Sequence, residues 1–198
     1  VVSSVALAVM LPVLAVVALF VRITMGGPVL FRQTRAGRNG EAFDLLKFRT
    51  MREPLPGEVG PEHDMQRTTA LGSWLRRTSV DELPSLINVL RGDMSLVGPR
   101  PLPLTYLERY TVEQARRLTV PPGLTGWAVV NGRNAIGWDE RFDLDCWYVD
   151  HQSLWLDLRI IAATVRVVVL GRGVNHDEHT TMTEFRGASP PNRPADPR

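Results

Sequence analysis

The first twenty residues of this chain contain no charged side chain, and only Ser3 and Ser4 carry a hydroxyl group. The apolar stretch continues to Arg22, so it reaches the roughly 20 residues that a helix needs to cross a bilayer. Pro12 lies near its middle, where proline removes a helical hydrogen bond and clashes with the preceding turn. The stretch predicts a kinked apolar helix, either one that spans a membrane or one that re-enters the same leaflet. A secretory signal is disfavoured because no A-x-A cleavage site follows.

The rest of the composition favours one cytoplasmic catalytic domain. A chain of 198 residues, 44% of them hydrophobic, can bury one compact core. The net charge is only +2, from 23 basic and 21 acidic residues, which argues against a nucleic-acid-binding protein. Cys146 is the single cysteine, so no intrachain disulfide can form. Lys47 is the only lysine among many arginines, which suggests a specific role for it.

Local patterns predict a mostly helical α+β fold with little sheet. Two extended runs, residues 29–33 and 43–49, flank a loop that contains Asn39-Gly40, and this is typical of a β-hairpin. Residues 53–67 are rich in Pro, Glu and Gly, which predicts a mobile loop. Apolar periodicity predicts helices over residues 70–77, 83–90, 104–118 and 154–170. The Pro-rich polar tail after Arg186 is expected to be disordered.

The last predicted helix has an apolar stripe with aromatic residues at its edge. Its apolar residues recur every three or four positions: Leu154, Trp155, Leu158, Ile161, Ala162 and Val165. Such a helix suits a membrane interface, but a helix that packs on the protein core shows the same spacing. Both interpretations stay open.

Two adjacent carboxylates, Asp81 and Glu82, open an apolar segment and are followed by Pro84. Ser79 and Glu82 also fit a capping box, a purely structural role. Pro84 belongs in the first turn of a helix, so both carboxylates are expected there, where the helix dipole keeps them ionised. An ionised carboxylate can act as a nucleophile or as a Mg²⁺ ligand.

Several loops carry residues that can bind anions. The segment G-P-R-P, residues 98–101, restricts the backbone around Arg100, whose fork suits a diphosphate. Other candidates are K-F-R-T-M from Lys47, P-G-L-T-G-W from Pro122 and N-G-R-N from Asn131, although most such loops merely turn the chain. The cluster from His176 to His179 invites a metal interpretation but offers no helical context or third ligand.

In combination, the motifs resemble the bacterial sugar transferase family, the monotopic polyprenyl phosphate phosphoglycosyl transferases. The resemblance covers about residues 11–187 and adds G-G-P-V-L-F-R-Q-T-R-A-G from Gly26, R-R-T-S-V-D-E-L-P from Arg76 and N-V-L-R-G-D-M-S-L-V-G-P-R-P from Asn88. The closing H-T-T-M-T-E-F-R-G resembles the small one-domain branch, which includes the enzymes that initiate bacterial protein N-glycosylation.

The resemblance implies a set of active-site residues. Asp81 is expected to be the nucleophile and Glu82 its partner, with Mg²⁺ bound by both. Substrate binding is expected from Lys47, Arg76, Arg100, Pro101, Arg133 and Asp145. The implied reaction transfers a sugar 1-phosphate from a nucleotide sugar, expected to be a UDP-sugar, to undecaprenyl phosphate through a covalent aspartyl intermediate. This is the first membrane step of bacterial glycoconjugate and exopolysaccharide assembly.

The resemblance also implies a place in the cell. Residues 1–25 are expected to form a re-entrant membrane helix, residues 26–186 a cytoplasmic catalytic domain with interfacial amphipathic helices, and residues 187–198 a disordered tail. Membrane lipid, the two substrates and a second copy of the chain are the expected partners, at the inner membrane. The family's Ser-Pro pair at the bend is replaced by Leu11-Pro12. A Mg²⁺-dependent phosphohydrolase and an inactive membrane-anchored scaffold are the alternatives.

Overall fold

A computed structural model describes residues 2–58, 60, 63–132, 136–169 and 184–187. In this part of the chain the fold is mostly helical and contains two small sheets. The α-helices are α1 Val2–Met25, α2 Asp64–Arg67, α3 Ala70–Thr78, α4 Leu86–Arg91, α5 Val112–Ala115, α6 Trp127–Asn131, α7 Trp138–His151 and α8 Leu154–Val169. The strands are β1 Leu30–Ala36, β2 Ala42–Phe48, β3 Ser95–Val97 and β4 Gly123–Thr125. The predicted α+β class with mostly helical content is confirmed.

Helix α1 packs one face on the protein and exposes the other. Val17, Val21 and Met25 recur every four residues and form a buried cluster with Phe48 and Leu75. On the outer face, large apolar side chains are exposed: Leu11, Val13, Val16, Leu19, Phe20 and Ile23. The helix continues through Pro12, so the predicted bend stays a prediction. No helix in the described ranges is long and apolar enough to cross a membrane.

The predicted hairpin is confirmed, with strand bounds shifted by one to three residues. Strands β1 and β2 pair antiparallel from Leu30↔Phe48 to Ala36↔Ala42. Asn39 and Gly40 turn the chain with φ of 55° and 80°, values that favour asparagine and glycine.

Side chains from the next helical segment cover the outer edge of β2. Asn88 is fully buried; its Oδ1 accepts from the Leu46 amide at 3.1 Å, and its Nδ2 donates to the Asp44 carbonyl at 2.8 Å. Ser85 Oγ donates to the Leu46 carbonyl at 2.7 Å. These bonds satisfy the backbone groups of Leu46 and Asp44 at the free edge of β2, which would otherwise require hydrogen bonds from a third strand. They also hold the Asp81–Glu82 turn against β2.

A second sheet, absent from the sequence-based prediction, joins two of the glycine-rich motifs. Strands β3 and β4 pair in parallel, with Ser95 opposite Gly123 and Val97 opposite Thr125. A Cβ atom on Gly98 would lie 2.9 Å from the Gly123 amide nitrogen, which is closer than side chains tolerate. The two motifs therefore pack backbone against backbone, and glycine is required at the contact.

Two predicted helices differ from the observed segments. The region 83–90 begins as a 3₁₀ turn, Val80–Ser85, before α4. The region 104–118 is not one helix. It comprises a 3₁₀ helix Leu104–Arg109, then α5 and a further 3₁₀ turn, Arg116–Thr119, because Tyr110 is extended and Thr111 caps a new helix. The predicted loop 53–67 contains α2.

Helix α7 was not predicted because its buried face is partly charged. Arg141 and Asp145 are buried beside Phe142, Cys146 and Tyr148, so hydrophobic periodicity alone does not reveal the inward face.

Helix α8 and residues 184–187 complete the described core. Leu156 and Ile160 pack in a cluster with Tyr148, whereas most of the predicted stripe is exposed, with Leu154 and Trp155 each 77% exposed. The core-packing interpretation is therefore wrong for most of the predicted stripe, of which Ile161 packs against this cluster; the opposite face, with Leu156 and Ile160, packs on the core. The exposed stripe stays a candidate interface. Phe185 is buried among four aromatic side chains: Tyr106, Tyr110, Trp138 and Phe142. The predicted disordered tail lies outside the described residues, apart from Gly187.

Candidate active site

The two adjacent carboxylates lie in the tight turn that follows α3. Ser79 adopts a left-handed conformation with φ of 57°, which ends α3 and starts the 3₁₀ turn. The predicted capping box is wrong, since the Ser79 side chain makes no capping hydrogen bond. The Glu82 side chain instead contacts cations from two other parts of the chain.

Glu82 binds Lys47 from β2 and Arg100 from the G-P-R-P loop. Its Oε1 accepts from Lys47 Nζ at 2.8 Å and from Arg100 Nη2 at 2.6 Å. Burial alone would raise the pKa of Glu82, but these two cations hold that pKa well below its usual range. Burial and repulsion from Arg100 lower the pKa of Lys47, against the attraction of Glu82. Glu82 is thus ionised, and its carboxylate orients the side chains of Lys47 and Arg100.

Asp81 has different surroundings, although it is the adjacent residue. Its side chain is buried, and no hydrogen bond reaches its carboxylate from the residues that the structure describes. Burial and repulsion from Glu82 raise the pKa of Asp81 to about 6, although Lys47, Arg100 and Arg76 act in the opposite direction. The pKa of Asp81 is therefore raised overall, the direction opposite to that of a helix dipole acting alone. A pKa of about 6 still leaves the group mostly ionised at neutral pH.

A small cleft, partly open to solvent, has Glu82 in its wall, whereas Asp81 is not among the residues that line it. Its walls bring together residues from four parts of the chain: Arg35, Leu45, Lys47, Glu82, Ser85, Met94, Arg100, Pro101, Gly123 and Leu124. Three of the predicted substrate-binding residues, Lys47, Arg100 and Pro101, therefore share one cleft with Glu82. Arg76 does not line the cleft, but its charge lowers the pKa of Asp81, and its Nε donates to Thr50 Oγ1 at 2.9 Å.

Asp145 does not line this cleft, but a chain of contacts connects it to Arg100. Asp145 forms a buried ion pair with Arg117, whose Nη2 lies 2.8 Å from Asp145 Oδ2. The same Nη2 donates to the Arg100 carbonyl at 2.7 Å. Asp145 can thus position the loop that carries Arg100, while its predicted contact with substrate stays a prediction. Arg133 lies outside the described residues.

Several residues in and around the cleft were not among the candidates that the sequence predicts. Arg35 belongs to the motif that begins at Gly26, which supports the family resemblance but predicted no site residue. In the structure, Arg35 lines the cleft. The sequence does carry a signal for Ser85 and Asn88, because both are polar residues within an apolar helical run. Arg117 carries no such signal, because nothing in its neighbourhood distinguishes it from a solvated arginine.

The carboxylate pair satisfies part of what a Mg²⁺ site requires. The described ranges contain no group of three or more potential metal ligands. Mg²⁺ is commonly held by one or two carboxylates together with substrate phosphates and water, and the unbonded Asp81 carboxylate beside Glu82 fits that donor set. The cluster from His176 to His179 lies outside the described residues.

Comparison with known proteins identifies relatives of this chain. The sequence profile of the family described as "Bacterial sugar transferase" matches residues 1–171. The "Uncharacterized sugar transferase EpsL" of Bacillus subtilis is 50% identical over 168 residues, which cover 85% of this chain and 83% of that protein. The "Exopolysaccharide production protein ExoY" of Rhizobium meliloti is 37% identical over 86% of this chain and 83% of its own length.

A third relative is longer. The "UDP-glucose:undecaprenyl-phosphate glucose-1-phosphate transferase" of Escherichia coli is 41% identical over 164 residues, which cover 78% of this chain but only 35% of that protein. The family match spans most of the chain and confirms both the resemblance of the motifs and the prediction of an enzyme. The chain belongs to the bacterial sugar transferase family.

Proposed function

We propose that this protein transfers a sugar 1-phosphate from a UDP-sugar to undecaprenyl phosphate, releasing UMP. The observation that carries the proposal is the Asp81 carboxylate, unbonded by the described residues, beside a cleft whose wall holds Glu82, Lys47 and Arg100. A carboxylate without hydrogen-bond donors is available as a nucleophile. The name of the Escherichia coli relative contains UDP-glucose and undecaprenyl phosphate, which supports a UDP-sugar as the donor and undecaprenyl phosphate as the acceptor.

The proposed reaction consists of two displacements at the phosphorus that carries the sugar. In the first, an Asp81 oxygen forms a bond to this phosphorus, and the bond to the oxygen of UMP breaks. In the second, an oxygen of undecaprenyl phosphate attacks the same phosphorus, the bond to Asp81 breaks, and undecaprenyl-diphosphate-sugar leaves. The donor diphosphate and the acceptor phosphate therefore never need to occupy the site at the same time.

The cations of the cleft are proposed to bind the donor diphosphate. Lys47 and Arg100 are 21% and 38% exposed at their side chains, so a phosphate can reach both without breaking the fold. Their contacts with Glu82 orient them in advance, and pre-organised cations stabilise the charge that develops during phosphoryl transfer. Pro101 restricts the backbone next to Arg100, while the charge of Arg76 lowers the pKa of Asp81.

We further propose that Asp81 and Glu82 bind Mg²⁺ together with the diphosphate. When bound, the ion would neutralise phosphate charge and favour the in-line geometry of displacement. The residues of the chain provide the nucleophile and the orientation of Lys47 and Arg100.

The site is proposed to work at the cytoplasmic face of the bacterial inner membrane. Helix α1 exposes Leu19, Phe20 and Ile23 by 59%, 53% and 70%, and α8 exposes Leu154 and Trp155. Exposed apolar patches of this kind suit contact with lipid. The acceptor's isoprenoid tail requires such contact. A re-entrant form of α1 and a homodimer remain proposals that follow from the resemblance.

The full protein in detergent, incubated with a panel of UDP-sugars and Mg²⁺, tests the reaction. We expect sustained UMP release only when undecaprenyl phosphate is present, together with an undecaprenyl-linked sugar product. Sustained release of free sugar phosphate without the acceptor would instead favour the phosphohydrolase alternative. Absence of turnover with every sugar would favour the scaffold.

A further inference from the structure

We propose that Arg35 is a further phosphate-binding residue of the cleft and binds the donor diphosphate. The inference rests on the proposed function for the identity of the donor. The anion site itself is argued from the surroundings of Arg35.

The hairpin register places Arg35 on the same face as Lys47. Phe31 pairs with Lys47 and Arg35 pairs with Phe43, so the alternation of strand side chains sends Arg35 and Lys47 to one side of the sheet. Both residues line the cleft. The end of β1 is also tied to the G-P-R-P loop region, because the Ala36 amide donates to the Leu102 carbonyl at 2.9 Å.

Among the described residues, the charges that line the cleft are unbalanced. Arg35, Lys47 and Arg100 face one carboxylate in the wall, Glu82, and that carboxylate binds Lys47 and Arg100 directly. Arg35 instead donates from Nη2 to the neutral Gln33 Oε1 at 2.6 Å. Its Nε is buried and has no hydrogen-bond partner among the described residues. A buried N–H donor without an acceptor is unfavourable, so the described part of the fold leaves the guanidinium of Arg35 incompletely satisfied.

The neighbours of Arg35 favour a phosphate as its ligand. Arg35 and Arg100 both line the cleft, and no carboxylate of the described residues is hydrogen-bonded to Arg35. Burial and repulsion from Arg100 lower the pKa of Arg35, although Glu82 acts in the opposite direction. A phosphate between Arg35 and Arg100 would bridge the two, and guanidinium groups bind phosphate oxygens through paired hydrogen bonds.

The test compares Arg35→Met and Arg35→Lys with the control Arg32→Met in the full protein. Arg32 is an exposed arginine on the same strand, with its side chain on the opposite face. Thermal melting with increasing inorganic diphosphate measures anion binding without turnover. Arg35→Met is expected to weaken diphosphate binding about tenfold or more, and Arg35→Lys to weaken it less, as the loss of a charge-assisted contact implies. Arg32→Met should bind as the unmodified protein does.

The same variants separate binding from a structural role. Without ligand, Arg35→Met should melt at the same or a higher temperature, because an unpartnered buried donor and a cation repulsion are removed. Its KM for the UDP-sugar should rise about tenfold. Unchanged diphosphate binding and KM in Arg35→Met, or a lowered melting temperature with unchanged binding in Arg35→Lys, would overturn the assignment. If the unmodified protein binds diphosphate but transfers no sugar, the proposed function fails and the Arg35 site stands.

Discussion

Asp81 and Glu82 are adjacent in the sequence, but their surroundings shift the pKa of the two carboxyl groups in opposite directions. Burial disfavours the charge of Asp81, whereas Lys47 and Arg100 stabilise the charge of Glu82. Opposite shifts in one site are a common sign that two acidic residues have different roles. Asp81 is therefore the candidate for chemistry, and Glu82 is the residue that orders the cations.

Replacing Asp81 with asparagine is expected to abolish transfer without unfolding the protein. The amide keeps the shape but cannot form the phosphoryl bond, so turnover should fall by roughly 10³-fold or more. Because burial already disfavours the charge, the melting temperature should stay the same or rise. Mass spectrometry after incubation with UDP-sugar alone should detect a sugar-phosphate adduct on the unmodified protein and none on Asp81→Asn. Near-normal turnover of the variant would contradict the covalent mechanism.

Replacing Glu82 with glutamine is expected to reduce stability as well as activity. Lys47 and Arg100 would then lie close together in a half-buried site without a neutralising carboxylate, and the free energy of unfolding should fall by about 1–3 kcal/mol. Urea unfolding measures the change. Glu53→Gln is the matched control, since Glu53 pairs with Arg49 at the surface and is 69% exposed. Equal stability of Glu82→Gln and the control would show that the pair with Lys47 and Arg100 does not stabilise the fold.

At the scale of the elements, the edge of the hairpin decides where the carboxylates lie. Strand β2 carries Lys47 on one side of its backbone, while Ser85 and Asn88 satisfy its free edge through side chains. The helical segment with Asp81 and Glu82 therefore attaches to β2 through polar bonds rather than through apolar packing alone. Such bonds fix distance and register more narrowly than a hydrophobic contact does.

Truncation of Asn88 should loosen this attachment. In Asn88→Ala the Leu46 amide and the Asp44 carbonyl lose their partner in a buried environment, which should lower the free energy of unfolding by about 2–4 kcal/mol. Activity at low temperature should fall as well, since Glu82 and Lys47 are no longer held in register. Gln66→Ala removes an exposed amide and serves as the control. A variant as stable as this control would exclude the proposed role of Asn88.

At the scale of the whole molecule, the described core is divided into three clusters. One joins α1 to β2 and α3, a second joins β3 to α7 and α8, and a third joins the 3₁₀ helix Leu104–Arg109 to α7 and Phe185. The segment 184–187 is thus part of the catalytic domain, although much sequence separates it from its contacts. Arg109 also binds Glu184 at 2.7 Å.

Phe185→Ala tests this contribution of the C-terminal segment. Phe185 is 2% exposed, so its removal leaves a cavity among aromatic side chains and should lower the free energy of unfolding by about 3–5 kcal/mol. The control is Val112→Ala, because Val112 is 92% exposed. Thermal and urea unfolding of both variants supply the measurement. If Phe185→Ala unfolds like the control, the segment does not belong to the cooperative core.

The topology of α1 is a prediction for the molecule in its membrane. We expect both ends of α1 on the cytoplasmic side, with Pro12 promoting a bend, and Pro12→Ala to favour a spanning helix and lower transfer. A cysteine placed at the N-terminus should resist a membrane-impermeant thiol reagent in intact cells and become labelled after lysis. Labelling of the otherwise unmodified protein in intact cells would refute re-entry but leave the transferase assignment intact.

Several features could be predicted from the sequence because their signals are local. The Asn39-Gly40 turn between two extended runs predicts the hairpin, and a long apolar stretch predicts α1. The order of the motifs from Gly26 to Asn134 identifies the family. The sequence also predicts Asp81 and Glu82 as site residues, since two carboxylates before Pro84 form a recognisable local pattern.

The tertiary structure alone decided the partners of these residues. Glu82 meets Lys47 across 35 positions of the chain, and Arg117 meets Asp145 across 28. Hydrophobic periodicity carries no information about such pairs. Strands β3 and β4 have only three residues each, which is too short to show the alternation typical of a strand. Burial and charge at Asp81 and Arg35 depend on which distant segments cover them. Residue types and local structure were therefore determined by the sequence itself, whereas the electrostatic roles of the site residues arise only when the chain brings remote charges together.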